Sequence, residues 1–306
     1  MRPICVLFVL GLLSTPVFSD HANTDIHWPG WRVESSEELY LGRIHASYPL
    51  TFLFDGKPET AWVFSGKAKG TERKVVLTIA AEKPFTLDRI RVMNGYNKSR
   101  EVFLRNDRVT GLSLDLRNPE EGCRGGPSVY AAKVQLTDRM GWHEISFPRR
   151  TAREIEITVT DLIRGADDDV CLSEIEIYDG DRKVDTAMPE VVLFSEGDEC
   201  GCGYFSRVMR RDGRILGGDK LEEDGIGPTY DPLNRHAAFT LWASERASLC
   251  VVDMTTGRVL LRRKLASWRV DGIAWVKPGM VEVRFYGVEP GKTPRPLRLT
   301  VPAATS

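Results

Sequence analysis

Short apolar stretches in which every second residue is polar run through most of this chain. The segment 154–160 is the clearest case, because Ile155, Ile157 and Val159 alternate with residues that carry a charge or a hydroxyl. A β-strand turns successive side chains to opposite faces, so these three residues predict a core face while Glu154 and Glu156 face water. Helical periodicity is almost absent, and Gly, Pro, Asn and Asp separate the stretches. The pattern predicts an all-β protein.

The same alternation predicts strands in both halves of the chain. They are 74–79, 87–93, 112–116, 132–136, 143–147 and 173–178 in the first half, and 237–242, 249–254, 258–265, 272–276 and 281–286 in the second. A polar, charged stretch lies between the halves, and a chain of 306 residues is long enough for two domains. We therefore predict a first domain at 32–180, a linker at 181–190 and a second all-β domain at 191–306.

The first residues predict the compartment. Arg2 precedes an apolar run over 4–13, and Thr15, Val17 and Ser19 then supply the small residues that a signal peptidase prefers. A hydrophobic run of ~7 to 15 residues with such flanks is typical of a secretory signal and too short to span a bilayer. We expect a signal peptide at 1–19, an N-terminal extension at 20–31 and a secreted or periplasmic protein with no transmembrane segment after cleavage. An uncleaved membrane anchor is the alternative.

Five cysteines follow the predicted signal peptide, and an oxidising compartment makes them disulfide candidates. Cys123 and Cys171 both fall in the first domain and form one candidate pair. Cys250 can pair with Cys200 or Cys202, and the sequence leaves that choice open. A metal site built from Cys200, Cys202 and a histidine is the alternative reading, but the one-residue spacing of the two cysteines is unlike that of common zinc sites.

The overall charge and the motifs exclude several classes of function. The formal net charge is −1, whereas charge-driven binding to nucleic acid or to a membrane surface needs a basic excess. The chain has no P-loop, no dinucleotide-binding fingerprint and no zinc-type ligand spacing. We assign no catalytic residue.

Three segments carry a resemblance to a known superfamily. They are Leu53-Phe54-Asp55-Gly56-Lys57-Pro58-Glu59-Thr60-Ala61-Trp62, the group Asn94-Gly95-Tyr96 with Lys98, Asn106 and Arg108, and the stretch 168–177 that contains Cys171, Ser173 and Glu174. The first resembles the discoidin-like, galactose-binding-like superfamily. The other two resemble a narrower group, the glycan-binding or translocation domains of bacterial NAD glycohydrolases. The resemblance covers about 33–178.

The resemblance implies a fold and a mode of action. It implies a discoidin-like jelly-roll sandwich, here followed by a second small all-β domain, with the ligand held by loop tips at one end of the sandwich. It implies no hydrolase activity, because the glycohydrolase that gives the group its name is a different domain.

The resemblance also implies a candidate calcium site. In many members of the superfamily the Asp-Gly turn wraps a calcium ion, and the corresponding side chains here are Asp55 and Thr60, with Glu174 closing the cage. Hard cations take carboxylate, hydroxyl and carbonyl oxygens, as these residues supply. The alternative is a hydrogen-bonded pair of Asp55 and Glu174 with no ion.

A glycan site needs an aromatic face and a few polar groups. Asn94, Tyr96, Lys98, Asn106 and Arg108 are of the right types and flank a long predicted loop between 93 and 112, so they are the candidate ligand contacts. The alternative is that Asn94 makes a turn and Tyr96 packs under the loop. The acidic run 167–169 is either a solvated loop or a source of a further carboxylate.

These observations favour a secreted, non-catalytic protein that recognises a glycan or cell-surface ligand through loop tips of the first domain. The second domain is then available for attachment or for a protein partner. Two alternatives stay open. One is an extracytoplasmic enzyme with its catalytic site in 191–306, and the other is a structural protein of an envelope complex.

Overall fold

The structure is a computed structural model of the chain. It describes residues 23–36, 48–65, 75–119, 126–197, 204–216, 228–243, 246–265, 270–285 and 296–302. The predicted signal peptide and three of the cysteines, Cys123, Cys200 and Cys202, lie outside these residues.

The described residues form many strands and little helix, which confirms the all-β prediction. The first elements are β1 (Asn23–Trp28), β2 (Trp31–Ser35), a 3-10 helix (Leu50–Phe54), β3 (Trp62–Ser65), β4 (Val76–Asn94), α1 (Arg100–Arg105), β5 (Arg108–Arg117), β6 (Ser128–Gln135), β7 (Trp142–Ile163), β8 (Asp169–Asp179) and β9 (Arg182–Lys183). Those that follow are β10 (Val191–Gly197), β11 (Tyr204–Arg210), β12 (Ile215–Leu216), β13 (Thr229–Tyr230), β14 (His236–Ala243), β15 (Arg246–Asp253), β16 (Val259–Lys264), β17 (Val270–Lys277), β18 (Met280–Phe285) and β19 (Leu297–Thr300).

Two long strands connect the layers of the sandwich. The first half of β4 pairs with β2 and with the second half of β7, which also pairs with β5. The second half of β4 pairs with β8 and with the first half of β7, and β8 pairs with β3. The β4–β7 register shifts between Ala80 and Phe85, where both strands pass from one layer to the other. Bulges of this kind let a strand bend between sheets.

The core lies between these layers. Ile79, Leu114 and Ile155 from one layer and Ile90 and Ile177 from the other are buried in one cluster. Each alternates along its strand with a more exposed neighbour, as the period-2 pattern predicts. The sandwich therefore follows from the alternation together with strand pairing.

Glu154 departs from the predicted alternation. It was expected to face water, but only 6% of its surface is exposed. It lies opposite Arg117 on β5, and Arg32 is also close enough to act on its charge. Burial raises the pKa of the Glu154 carboxyl, and the two guanidinium groups oppose that shift. The groups that surround this carboxylate come from β5 and β2, which the sequence of β7 alone does not reveal.

The predicted N-terminal extension and the predicted linker each contribute a strand to the main sheet. β1 lies between β2 and β10, with Ile26 opposite both Val33 and Phe194. The segment 181–190 begins with β9, which pairs back onto β8. It continues to Met188, which is buried in the sandwich core. The sheet therefore continues across the predicted domain boundary, because strands far apart in sequence pair there.

The first strand after the predicted boundary contributes to two hydrophobic cores. In β10, Val192 and Phe194 join the core of the sandwich, whereas Val191 and Leu193 join a second cluster with Ala237 and other residues of β14 and β15. The alternation along β10 thus divides its side chains between two cores. The β10–β11 ribbon joins the sandwich to the rest of the chain.

The last part of the chain adds two small sheets. β13, β14, β15 and β16 form an antiparallel sheet in that order, and β17, β18 and β19 form another. Leu249, Val251, Val281 and Val283 pack between them in a third cluster. No helix in the described part of the chain is long and apolar enough to cross a membrane.

Candidate functional site

The Asp-Gly turn is a compact hydrogen-bonded loop at one end of the sandwich. It follows the 3-10 helix and passes through Gly56, whose φ of 74° favours glycine. The Asp55 Oδ1 atom accepts a hydrogen bond from the Lys57 amide at 2.9 Å. The Thr60 Oγ1 atom lies 2.7 Å from the Lys57 carbonyl and 3.0 Å from Asp55 Oδ2. Trp62 then enters β3 and is fully buried.

The structure brings Glu174 to this turn, as the resemblance implies. Glu174 lies in β8 with 3% of its surface exposed, and its Oε1 atom accepts the Lys57 amide at 2.6 Å. Burial raises the pKa of Glu174 to about 8, helped by its hydrogen bond to Asp55 and by the charge of that carboxylate. Two carboxyl groups therefore meet in a shielded place, where a proton or a cation offsets their repulsion.

The oxygen atoms at this turn fit a hard cation in their chemistry. Asp55 and Glu174 supply carboxylates, Thr60 a hydroxyl and Lys57 a main-chain carbonyl, and calcium takes about six to eight such oxygens. In the described part of the chain, no group of three or more His, Cys, Asp or Glu side chains is placed to hold a metal. Main-chain oxygens and water would therefore have to complete the coordination.

Asn94 holds the base of the next loop and does not reach its surface. It is fully buried, its Nδ2 atom donates to the Val109 carbonyl at 2.6 Å, and its Oδ1 atom accepts the Val109 amide at 3.0 Å. The side chain thus replaces a β-bridge between two chain segments. Gly95 follows with a φ of 73°, and a Cβ atom there would lie 2.5 Å from the Phe103 ring.

Arg108 is also a support of the loop. It is 5% exposed, and its Nε atom donates to Asp138 Oδ1 at 2.8 Å. Its Nη1 atom donates to the carbonyls of Leu104 and Asn106, and its guanidinium lies over the Phe103 ring. The structure therefore corrects the prediction for Asn94 and Arg108: both were candidate ligand contacts, and their polar atoms are used inside the protein.

The other three predicted contacts line one open cleft. The cleft has a volume of about 260 Å³ and is lined by Tyr48, Val63, Tyr96, Lys98, Val102, Arg105, Asn106, Asp167 and Asp169. The rings of Tyr48 and Tyr96 meet edge to face, with their centroids 6.3 Å apart. Burial raises the pKa of the Tyr96 phenol. Asn106 also caps α1 through a bond from its Nδ2 atom to the Val102 carbonyl.

A buried carboxylate fixes the acidic wall of the cleft. Asp107 is fully buried, and it accepts hydrogen bonds from the Gly165 amide and from Arg164. The Asp107 amide donates to the Asp169 carbonyl at 2.8 Å, and the Asp167 amide donates to the Arg105 carbonyl at 2.7 Å. The loop 164–169 is therefore fastened to the C-terminal end of α1.

Sequence reasoning missed several lining residues. Tyr48 precedes the recognisable turn and carried no local signal. Arg105 and Val102 lie on α1, where Ser99 caps the helix by accepting the Val102 amide at 3.2 Å. A serine at this position is a known helix-start signal, so the helix could have been predicted. The acidic run was noted, but the structure places Asp167 and Asp169 in the cleft.

The cysteines of the described residues are buried. Cys171 forms no disulfide within the described residues, burial and nearby carboxylates raise the pKa of its thiol, and it packs with Ala61 and Val63. Cys250 is buried in β15. The proposed partners Cys123, Cys200 and Cys202 lie outside the described residues, so both pairings stay predictions.

An acid–histidine pair occurs in the second half of the chain. His236 Nδ1 lies 3.2 Å from Asp231 Oδ2, while Asp231 Oδ1 accepts the main-chain amides of Arg235 and His236. These bonds close the turn between β13 and β14. The pair therefore has a structural explanation.

The comparison with known protein families agrees with this architecture. Residues 32–178 match the model of the NAD glycohydrolase translocation F5/8 type C domain. These residues, slightly less than half of the chain, are similar to this domain family. The match spans the Asp-Gly turn, the loop 94–108 and the cleft, and it ends within β8. It confirms the resemblance drawn from the three sequence segments, and β10–β19 lie outside the matched residues.

Several solved structures are similar to about half of this chain. One is the family 32 carbohydrate-binding module of C. perfringens NanJ in complex with galactose, at 17% identity and a TM-score of 0.37, covering 51% of this chain and 99% of that chain. A second is chitosan-binding module 1 from a chitosanase/glucanase of Paenibacillus sp. IK-5, at 19% identity and a TM-score of 0.34. That match covers 48% of this chain and 93% of the module. A third is a Ruminococcus gnavus GH29 fucosidase mutant in complex with fucose, at 19% identity and a TM-score of 0.34. That match covers 51% of this chain and 26% of the fucosidase chain. No curated protein sequence matches this chain.

Proposed function

We propose that this protein is a secreted, non-catalytic binding protein that holds a glycan of a cell surface in the cleft beside Tyr96. The observation that carries the proposal is the composition of the cleft. Two tyrosines lie among amide, ammonium, guanidinium and carboxylate groups. Aromatic faces pack against the C–H groups of a sugar ring, and such polar groups exchange hydrogen bonds with its hydroxyls.

The size of the cleft favours a small part of a glycan. Its volume of about 260 Å³ is slightly below the range of ~300 to 1,000 Å³ that is usual for pockets of drug-sized ligands. One sugar residue at the end of a chain suits such a cleft better than a buried oligosaccharide. The cleft is also open, so the rest of a glycan can extend into solvent.

The walls of the cleft are fixed before a ligand binds. Asp107 fastens the loop that carries Asp167 and Asp169, and Asn94 fastens the loop that carries Tyr96. A site whose side chains are already positioned loses less conformational entropy on binding. This supports recognition by the loop tips.

The proposal includes a calcium ion at the turn formed by Asp55, Thr60 and Glu174. β8 connects this turn to the cleft, because it carries both Glu174 and Asp169. A bound cation there stabilises the loop end of the sandwich and needs no part in contacting the glycan. The non-catalytic and secreted character rests on the translocation-domain family and on the predicted signal peptide.

The proposal predicts selective retention on immobilised glycans. The protein is expected to bind a subset of glycans on an array, and Tyr96→Ala is expected to weaken that binding at least tenfold, or by about 1.4 kcal/mol. Tyr96→Phe keeps the ring and is expected to keep most of the affinity. Lys98→Ala tests the rim of the cleft, with the exposed Lys133→Ala of β6 as its matched control.

Two results would contradict this proposal. One is the absence of retention on any host or bacterial glycan by a folded, calcium-loaded protein. The other is binding that Tyr96→Ala and Lys98→Ala leave unchanged, which would place the ligand at another surface.

A further inference from the structure

A concentrated basic segment lies outside the residues that match the family model, 32–178. Between residues 254 and 270 the chain has five basic residues and no acidic residue. The net charge of −1 hides this segment, because acidic residues elsewhere compensate for it. Three of the five basic residues, Arg262, Arg263 and Lys264, are consecutive and end β16.

The structure exposes these three side chains at the edge of a sheet. β16 is the last strand of its four-stranded sheet, and its only partner in the described residues is β15. Arg262, Arg263 and Lys264 are all exposed. Within the described part of the chain, none of the three forms an ion pair or a side-chain hydrogen bond.

The pairing of β16 shows how these charges are arranged. Arg262 lies opposite Cys250 and Lys264 opposite Ser248, while Arg263 lies opposite Leu249. Directly opposite residues share a face, so Arg262 and Lys264 flank one side of the edge and Arg263 the other. Arg262 and Lys264 are about 6.6 Å apart along the strand. The result is a narrow basic row along one strand.

Basic residues on an edge strand can simply prevent edge-to-edge aggregation. One or two charges suffice for that purpose, whereas this edge carries three in succession within an acid-free segment. A narrow row also suits a linear polymer better than a planar membrane. β16 has no aromatic residue on which bases could stack, which argues against single-stranded nucleic acid.

We propose that Arg262, Arg263 and Lys264 on the open edge of β16 form a binding site for a linear anionic polysaccharide. This site is separate from the cleft beside Tyr96, and it does not depend on glycan binding there. It gives the second half of the chain a contact of its own with a polyanionic surface.

Heparin serves as the probe, and binding is measured with the full chain after signal cleavage. The protein is expected to bind heparin at low salt, with an affinity that falls steeply as salt is added. The triple variant Arg262→Ser, Arg263→Ser, Lys264→Ser is expected to bind at least tenfold more weakly. By analogy with the release of counterions from DNA, the slope of log affinity against log salt is expected to fall by about 2 to 3.

The matched control removes three other exposed cations, Arg149, Arg182 and Lys183, which are paired with acidic residues. It changes the net charge equally and is expected to leave heparin binding within twofold. Replacing Arg262 and Arg263 by lysine keeps both positive charges, so this variant is expected to retain most of the affinity for heparin. Unfolding midpoints verify that the variants fold.

Three outcomes would overturn the inference. They are no heparin binding at low salt, equal losses in the triple variant and the control, and tighter binding of vesicles rich in phosphatidylglycerol or of oligo(dT) than of heparin. A Tyr96→Ala variant that loses array binding but keeps heparin binding would separate the two sites.

Discussion

Calcium is expected to raise the unfolding midpoint of this protein, and a chelator is expected to lower it again. A ligand that binds only the native state stabilises it by RT ln(1 + [L]/Kd), which is about 2.7 kcal/mol at a concentration one hundred times Kd. The expected site is the turn where Asp55, Thr60 and Glu174 meet. The measurement is thermal unfolding with calcium and then with the chelator.

The variants follow from the contacts at this turn. Asp55→Ala removes the carboxylate that accepts the Lys57 amide and that lies beside Thr60, so it is expected to abolish the calcium effect. Glu174→Gln is close in shape and lacks the negative charge, so it is expected to weaken calcium binding while the fold is kept. Glu176→Gln is the matched control, because Glu176 lies two residues further along β8 and pairs with Arg91 and Lys183.

The calcium experiment separates the two readings of this turn. If neither calcium nor chelator changes the unfolding midpoint, Asp55 and Glu174 form a hydrogen-bonded pair that needs no ion. A calcium effect that survives in both Asp55→Ala and Glu174→Gln would place the ion elsewhere.

Asn94→Ala is expected to destabilise the protein by about 2 to 6 kcal/mol. The substitution leaves the amide and the carbonyl of Val109 without partners inside the protein, and each buried unpaired group costs about 1 to 3 kcal/mol. Both residues are fully buried, so water cannot readily replace the lost bonds. The free energy of unfolding in urea, measured with and without the substitution, tests this value.

Two comparisons identify the hydrogen bonds as the cause. Asn94→Asp has nearly the same volume but turns a second oxygen toward the Val109 carbonyl, so it is expected to be at least as destabilising as Asn94→Ala. Asn118→Ala removes a single bond to the Thr151 carbonyl near solvent, and we expect it to cost less than about 1.5 kcal/mol. Equal losses of unfolding free energy for Asn94→Ala and Asn118→Ala would show that the two buried hydrogen bonds from Asn94 to Val109 have no special importance.

Much of the sandwich could be predicted because its signals are local. The alternation in 154–160 identified one strand, and the Asp-Gly turn identified the segment that contacts β8. Bends within a strand have no comparable signal. The separate predictions at 143–147 and 154–160 therefore belong to one strand, β7, and those at 74–79 and 87–93 belong to β4.

The candidate site could be predicted only in part, because residue type does not reveal which polar side chains are buried. Residue type pointed to Tyr96, Lys98 and Asn106, which do line the cleft. It also pointed to Asn94 and Arg108, because polar side chains that hold a loop from inside have the same composition as those that contact a ligand. Their burial decided between the two roles.

The sequence by itself determined the strand class, the turn at Asp55, the family resemblance and the partner of that turn in Glu174. These features depend on neighbours within a few residues or on motifs kept in order. Only the tertiary structure decided that β1 joins β10, that Tyr48 and Asp169 share a cleft with Tyr96, and that Arg262 lies on an open edge. Such contacts depend on how distant strands pair, and strand pairing is a property of the whole chain that no local pattern encodes.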